Sequence, residues 1–116
     1  MNTKIEFIPD IIETILPIIK LTKSRNGQTG TATFVFLYPD IFLHFPSLSL
    51  IESMTLYWEK QKISTRDVQI FFKKGKPYII RSIFLFKNSQ EWFNFLQFMS
   101  FYSKESGLTF SDIIEK

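Results

Sequence analysis

The chain has 116 residues, 45% hydrophobic and 17% aromatic, which is enough for one domain, residues 1–116, with a core of its own. The absence of cysteine excludes disulfide staples, thiolate zinc sites and cysteine nucleophiles, and a net charge of +3 falls short of a nucleic-acid footprint. No run reaches the about 20 apolar residues of a membrane-spanning helix, the best, Ile11–Leu21, being broken by Glu13, Pro17 and Lys20.

In chain order, Lys4–Ile8 alternates as a short strand that Pro9-Asp10 ends. Ile15–Lys23 is a second, with Pro17 tolerated only near its start or on an edge. Ser24–Gly30 carries Asn26-Gly27, the strongest short hairpin signal, and Thr31–Leu37 returns as a β-branched and aromatic strand. Asp40–His44 fits one helical turn, while Pro46 and the serines around it read as loop. Met54–Trp58 is a strand, and Glu59-Lys-Gln-Lys62 a polar turn without glycine. Ile63–Lys73 reads as one long strand whose apolar phase slips; a bulge near Arg66-Asp67 would reconcile the two halves. Lys74-Gly-Lys-Pro77 turns the chain into the apolar strand Tyr78–Lys87.

The segment Asn88–Gly107 is the one long periodic stretch, a helix over about 89–106. Asn88 with Glu91 has the capping-box spacing, and Gly107 with Leu108 fits a left-handed ending. Turning about 100° per residue from Trp92 brings Phe95, Leu96, Met99 and Tyr102 into one stripe about 80° to either side. Burying that stripe is worth on the order of 10 kcal/mol before entropy is subtracted. Phe93 and Phe101 lie off it. The expected fold class is therefore α+β: an antiparallel, meander-like sheet of four to six strands with a C-terminal amphipathic helix on one face.

Catalytic constellations are missing from this pattern. His44 is the only histidine and sits between Leu43 and Phe45, where a structural role is the plainer reading. The acids are scattered, and no phosphate-binding or nucleophile-elbow motif occurs. No catalytic, cofactor-binding or metal-binding residue is assigned, and the chain is not expected to be an enzyme. Lys20, Lys23 and Arg25 lead into the Asn26–Gly30 turn, which is either an anion-binding nest or a solvated hairpin tip. Aromatics beside lysines leave a small RNA-binding regulatory domain as the alternative function.

Four stretches in order carry a resemblance. They are Pro17 with Lys20-Leu-Thr-Lys-Ser-Arg-Asn-Gly-Gln-Thr-Gly-Thr-Ala-Thr-Phe34, Thr65-Arg-Asp-Val68, Phe72 with Gly75-Lys-Pro77, and Glu91-Trp-x-x-Phe-x-x-Phe-Met-x-x-Tyr-x-x-Glu-x-Gly-Leu-x-Phe-Ser111. Together they closely resemble the photosystem II assembly protein family called Psb-twenty-eight, whose older name is photosystem II reaction centre W protein. The resemblance runs from about Ile5 to Ser111.

That resemblance implies a non-catalytic, membrane-extrinsic factor without cofactors. It would bind transiently to the stromal or cytoplasmic face of photosystem II intermediates, against inner-antenna and reaction-centre subunits, by strand addition. It would assist biogenesis and protect the half-built centre. The resemblance makes Lys20, Lys23, Arg25, Asn26, Gly27, Gly30 and Arg66 the candidate partner-binding residues, although a cross-strand ion pair explains Arg66 as well. No nucleic acid is expected as partner, and the free form is expected to be a monomer or weak dimer.

The chain departs from the family at Trp58–Lys62, where an acidic, glycine-containing turn is usual. It also departs at Phe93, Asn94, Gln97, Ser100 and Phe101, where charges are usual, and in the apolar Ile41–Leu50 loop. Because helix and loop lost polarity together, Phe93 and Phe101 are expected to pack under that loop rather than form an exposed patch. An N-terminus without a targeting signal and AT-rich-looking residue usage suggest a plastid-encoded protein of the stroma, peripheral on the thylakoid, with a cyanobacterial source as the alternative.

Overall fold

The computed structural model describes residues 3–44 and 50–108, and the backbone of 111–114. Four hairpins come first. Strands β1 (Thr3–Ile8) and β2 (Ile11–Ile12) form one; β3 (Ile18–Lys23) and β4 (Gly30–Leu37) form the next. A single helical turn, α1 (Ile41–His44), follows. Strands β5 (Met54–Trp58) and β6 (Gln61–Thr65) pair, then β7 (Val68–Lys73) and β8 (Lys76–Phe86). Helix α2 (Ser89–Ser106) and strand β9 (Ser111–Ile114) end the chain.

The hairpins alternate between two sheets. The first and third make a four-stranded sheet in the order β2-β1-β5-β6; the second and fourth make a five-stranded sheet ordered β7-β8-β4-β3-β9. All pairings are antiparallel except β3 with β9, which is parallel. The expected α+β class and C-terminal helix are both present. The strands form two sheets, not one, each with a greasy face that must be covered.

Turn chemistry sets the registers. Lys74 and Gly75 both take positive φ, 52° and 78°, as a two-residue type I′ connection requires. Glu59 takes φ 49° in the turn that lacks glycine. A left-handed residue with a Cβ costs about 1–2 kcal/mol, so that turn forms under the pull of the β5–β6 ladder. The expected long strand Ile63–Lys73 is instead two strands in two sheets. At Arg66-Asp67 the chain steps from one sheet to the other, held by Ile83 N–H donating to the Asp67 carbonyl at 3.0 Å and the Thr65 hydroxyl donating to the Ile83 carbonyl at 2.6 Å. The phase slip that suggested a bulge is this change of sheet. A true register shift lies further on, between Phe71 and Phe72.

Both greasy faces close on α2. From the four-stranded sheet come Ile5, Phe7, Met54, Leu56 and Trp58; from the five-stranded one Leu21, Phe34, Phe36, Ile80, Phe84 and Phe86. Phe95 of the helix stacks on Phe86 with centroids 4.8 Å apart and meets Phe34 and Phe84 at about 6 Å, while Phe98 meets Trp58 at 5.8 Å. The ends are capped as expected in kind. Asn88 Oδ1 accepts from Glu91 N–H at 2.9 Å, and Gly107, with φ 77°, donates to the Ser103 carbonyl. Glu91 differs in one detail, reaching back to Lys87 N–H rather than to that of Asn88.

The helix is rolled relative to the expected stripe. Its buried residues are Trp92, Phe95, Phe98, Met99 and Tyr102, with Leu96 half-buried at the margin. The face therefore centres on Phe95, which places Phe98 inside and Phe93 about 160° away. Phe93 is 63% exposed, whereas Phe101 is half-buried against the core. Packing of both under one loop does not hold for Phe93, and loop residues 45–49, with Phe45 and Pro46, lie outside the described ones. Substitution should report this roll directly: in urea unfolding, Phe98→Ala loses about 3–5 kcal/mol while Phe93→Ala stays within about 0.5 kcal/mol of the parent.

Candidate functional site

The segment Lys20–Gly30 is built by β3, β4 and the turn between them. Lys20 faces outward on the five-stranded sheet, directly across from Thr33, and is exposed. Lys23 pairs with Gly30 and closes the ladder. Beyond it the turn is tied by its own side chains. Asn26 Oδ1 accepts from the Ser24 hydroxyl at 2.6 Å and from Gln28 N–H at 3.0 Å, and Ser24 Oγ accepts from Thr29 N–H at 3.2 Å. Gly27 sits at φ 71°, where an L side chain is strained. Asn26 and Gly27 thus hold the turn, which presents the exposed Arg25 on a fixed frame.

Gly30 has a different reason to be glycine. A Cβ there would lie 2.8 Å from the Thr22 carbonyl oxygen and 2.8 Å from the Trp92 ring. It is buried, and it is the seat on which Trp92, the tryptophan of α2, rests. The basic turn is therefore coupled through one packing contact to the start of the helix. Gly30→Ala is expected to destabilise by about 1–3 kcal/mol, because backbone blocks one side of the added methyl; thermal melting compared with Gly27→Ala would separate packing from φ strain.

Arg66 does not join this group. It is exposed at the step between β6 and β7, and among the described residues no carboxylate pairs with it. The row Lys20–Thr33–Ile83–Asp67 crosses three strand spacings, which sets Arg66 roughly 14 Å from Lys20 across the sheet. The structure brings Lys23, Arg25, Asn26 and Gly27 together and leaves Lys20 and Arg66 as separate outward charges on the same sheet.

At the other end of the β3–β4 hairpin, a clasp joins the β2–β3 connection to α1. Glu13 is buried, yet three backbone donors engage its carboxylate: Oε2 accepts from Asp40 N–H at 2.8 Å and Ile15 N–H at 3.1 Å, and Oε1 from Ile41 N–H at 3.1 Å. Asp40 answers by accepting from the backbone N–H and the hydroxyl of Thr14. Burial pushes the Glu13 carboxyl above its ordinary range, and the three backbone donors work against that. The sequence signal was a single acid inside the apolar run Ile11–Leu16, which marks a buried, partnered carboxylate.

Glu13 also lines a depression of about 510 Å³ with Ile12, Leu16, Tyr102 and Glu105. Glu105 Oε1 accepts from the hydroxyl of Thr3 at 2.8 Å, which pins β1 to the last turn of α2. Burial first, and the Glu13 charge second, push the Tyr102 phenol up to about 12. An unfolded tyrosine ionises near ~10, so above that pH the unfolded state binds fewer protons than the folded one. Stability is then lost as the pH rises from about 10 to about 12 and is fully present below. Denaturant midpoints measured across that interval should fall for the parent and stay flatter for Tyr102→Phe.

Comparison with known proteins completes the picture. A family model described as Psb28 protein matches residues 5–110. The relative from Cyanidioschyzon merolae, called photosystem II reaction center Psb28 protein, is 41% identical over 91% of this chain and 94% of its own length. The protein of that name from Phaeodactylum tricornutum is 41% identical over 96% of this chain and 97% of its own, and that from Rippkaea orientalis 40% identical over 93% and 94%. With matches spanning both sheets and the helix, this chain belongs to the Psb28 protein family.

Proposed function

We propose that the chain is a non-catalytic, membrane-extrinsic assembly factor of photosystem II. It binds intermediates transiently on the stromal side of the thylakoid, or on its cytoplasmic side in a cyanobacterium, and contacts inner-antenna and reaction-centre subunits before maturation. What carries this reading is family membership over nearly the whole chain, since the relatives are named for photosystem II. A peripheral position agrees with the described residues, none of whose helices is long and apolar enough to cross a membrane.

The partner is proposed to dock by strand addition at the β3–β9 end of the five-stranded sheet, beside the basic turn. β9 has only four residues and pairs with β3 from Lys20 to Lys23, so the turn residues Lys23, Arg25, Asn26 and Gly27, with Lys20, stand next to a short, outward-facing sheet edge. Unpaired edge N–H and C=O groups supply affinity to an incoming strand, and flanking cations select an acidic one.

Native gel separation of photosystem II complexes tests the function: the protein should co-migrate with a monomeric intermediate and be absent from the mature dimer. Detection solely in the mature complex would sink the proposal. Reversing Lys23 and Arg25 to Glu should weaken retention by about tenfold or more, with Arg66→Glu changing it little. The opposite ranking would move the site to the β6–β7 step.

A further inference from the structure

The turn joining β7 to β8 lies at the other end of the five-stranded sheet, and its chemistry is unlike the rest of the surface. From Phe71 onward every residue of β7 is exposed, and Phe72 reaches 57% exposure although its strand neighbours Val68 and Ile70 face the core. The sheet has run past the layer that covers it. Leu37 and Tyr38, from the adjoining end of β4, are 53% and 60% exposed. Tyr38 is held there by its N–H donating to the Tyr78 carbonyl at 2.8 Å and by a positive φ of 50°.

Lysines flank these side chains. Lys73, Lys74 and Lys76 are all exposed, and with Tyr38, Pro77 and Tyr78 they border a depression of about 310 Å³. Lys73 Nζ lies 6.0 Å from the centre of the Tyr78 ring. No carboxylate occurs anywhere from Val68 to Phe86, and Asp40, the acid nearest Tyr38 in sequence, is engaged by Thr14. Among the described residues no carboxylate forms an ion pair with these three cations, which stand around a cluster of exposed apolar and aromatic side chains.

We infer that this hairpin tip is a contact for an anionic lipid surface. The apolar groups enter the interfacial region while the lysine stems let their ammonium groups stay at the headgroups. Two observations favour lipid over other polyanions. Phe71 follows the outward row of the sheet and Phe72 the opposite one, so the aromatics surround a tip and do not make the flat stacking platform that single-stranded nucleic acid uses. The tip is also the end of a ladder closed by a two-residue turn, with Lys73, Lys74 and Lys76 gathered there, a compact charge that a planar anionic surface meets as a whole. The inference deepens the proposed peripheral membrane position and rests on that reading for where such lipid is met; its test contains no photosystem and so fails or succeeds separately.

The full chain would be floated with vesicles of phosphatidylcholine alone and with phosphatidylglycerol mixed in. Binding is expected to the anionic vesicles only. Changing Lys73, Lys74 and Lys76 together to Gln should lower partitioning on the order of a hundredfold, since each lysine near such a surface adds several-fold. The charge-matched control, Lys60, Lys62 and Lys104 to Gln, should leave it nearly unchanged. Phe72→Ser should weaken binding, and an added indole in Phe72→Trp should shift to the blue and be quenched by brominated lipid on the anionic vesicles. Unchanged circular dichroism would show that the variants fold. Equal binding to neutral vesicles, no binding to anionic ones, an equal loss in the control, or tighter retention on polyuridylate than on vesicles would each overturn the inference.

Discussion

Helix α2 cannot roll or slide, and that constraint organises the molecule. Its tryptophan, Trp92, rests on Gly30, where the lack of a side chain lets the ring approach the β3–β4 hairpin. One turn later Phe95 is enclosed by Phe34, Phe84 and Phe86, and Phe98 reaches the opposite sheet at Trp58. Aromatic contacts of this kind are directional, so each adds a preferred angle to the area it buries. With the helix fixed at both sheets, the two sheets are fixed relative to one another, and Glu105 ties its last turn to Thr3.

Much of this was legible because local signals agreed with one another. Alternating apolar residues, Asn26-Gly27 and Lys74-Gly75 specified hairpins, and Asn88, Glu91 and Gly107 marked the helix ends. Such signals act within a few residues. They say that β3 pairs with β4 and β7 with β8, but they missed the two-residue β2 that pairs with β1, and nothing local states that the β1–β2 and β5–β6 hairpins share a sheet while β3–β4 and β7–β8 build another. The phase slip at Arg66-Asp67 was visible, but one slipped residue describes a bulge and a change of sheet equally well until the partners are known.

The helix roll escaped for a related reason. Counting apolar residues on α2 gives a stripe wide enough for several centres, because Phe93, Phe98 and Phe101 surround it on the far side. Only the two-sided environment decides, and it takes Phe98 into the wedge between the sheets while leaving Phe93 in solvent. Glu13 teaches the converse. As a break in an apolar run it looked like an interruption, whereas its carboxylate is the connector between the β2–β3 segment and α1. At the candidate site, likewise, the sequence grouped Gly30 with the basic turn but could not separate a packing glycine from a docking one.

The geometry of β8 relates the two proposed contacts. It runs eleven residues from Lys76 at the lysine-rich tip to Phe86 beside the basic turn, and Phe86 pairs with Gly30. At about 3.3 Å per residue the contacts stand some 33 Å apart on one sheet strand, close to the 43 Å length of the molecule. A paired central strand does not bend enough to bring them together. With the tip against lipid and the sheet upright, the turn at Arg25 stands well clear of the headgroups. On the proposed docking, the protein segment met there would be an extrinsic tail or loop of the partner, and an unpaired tail is also what a short sheet edge can accept.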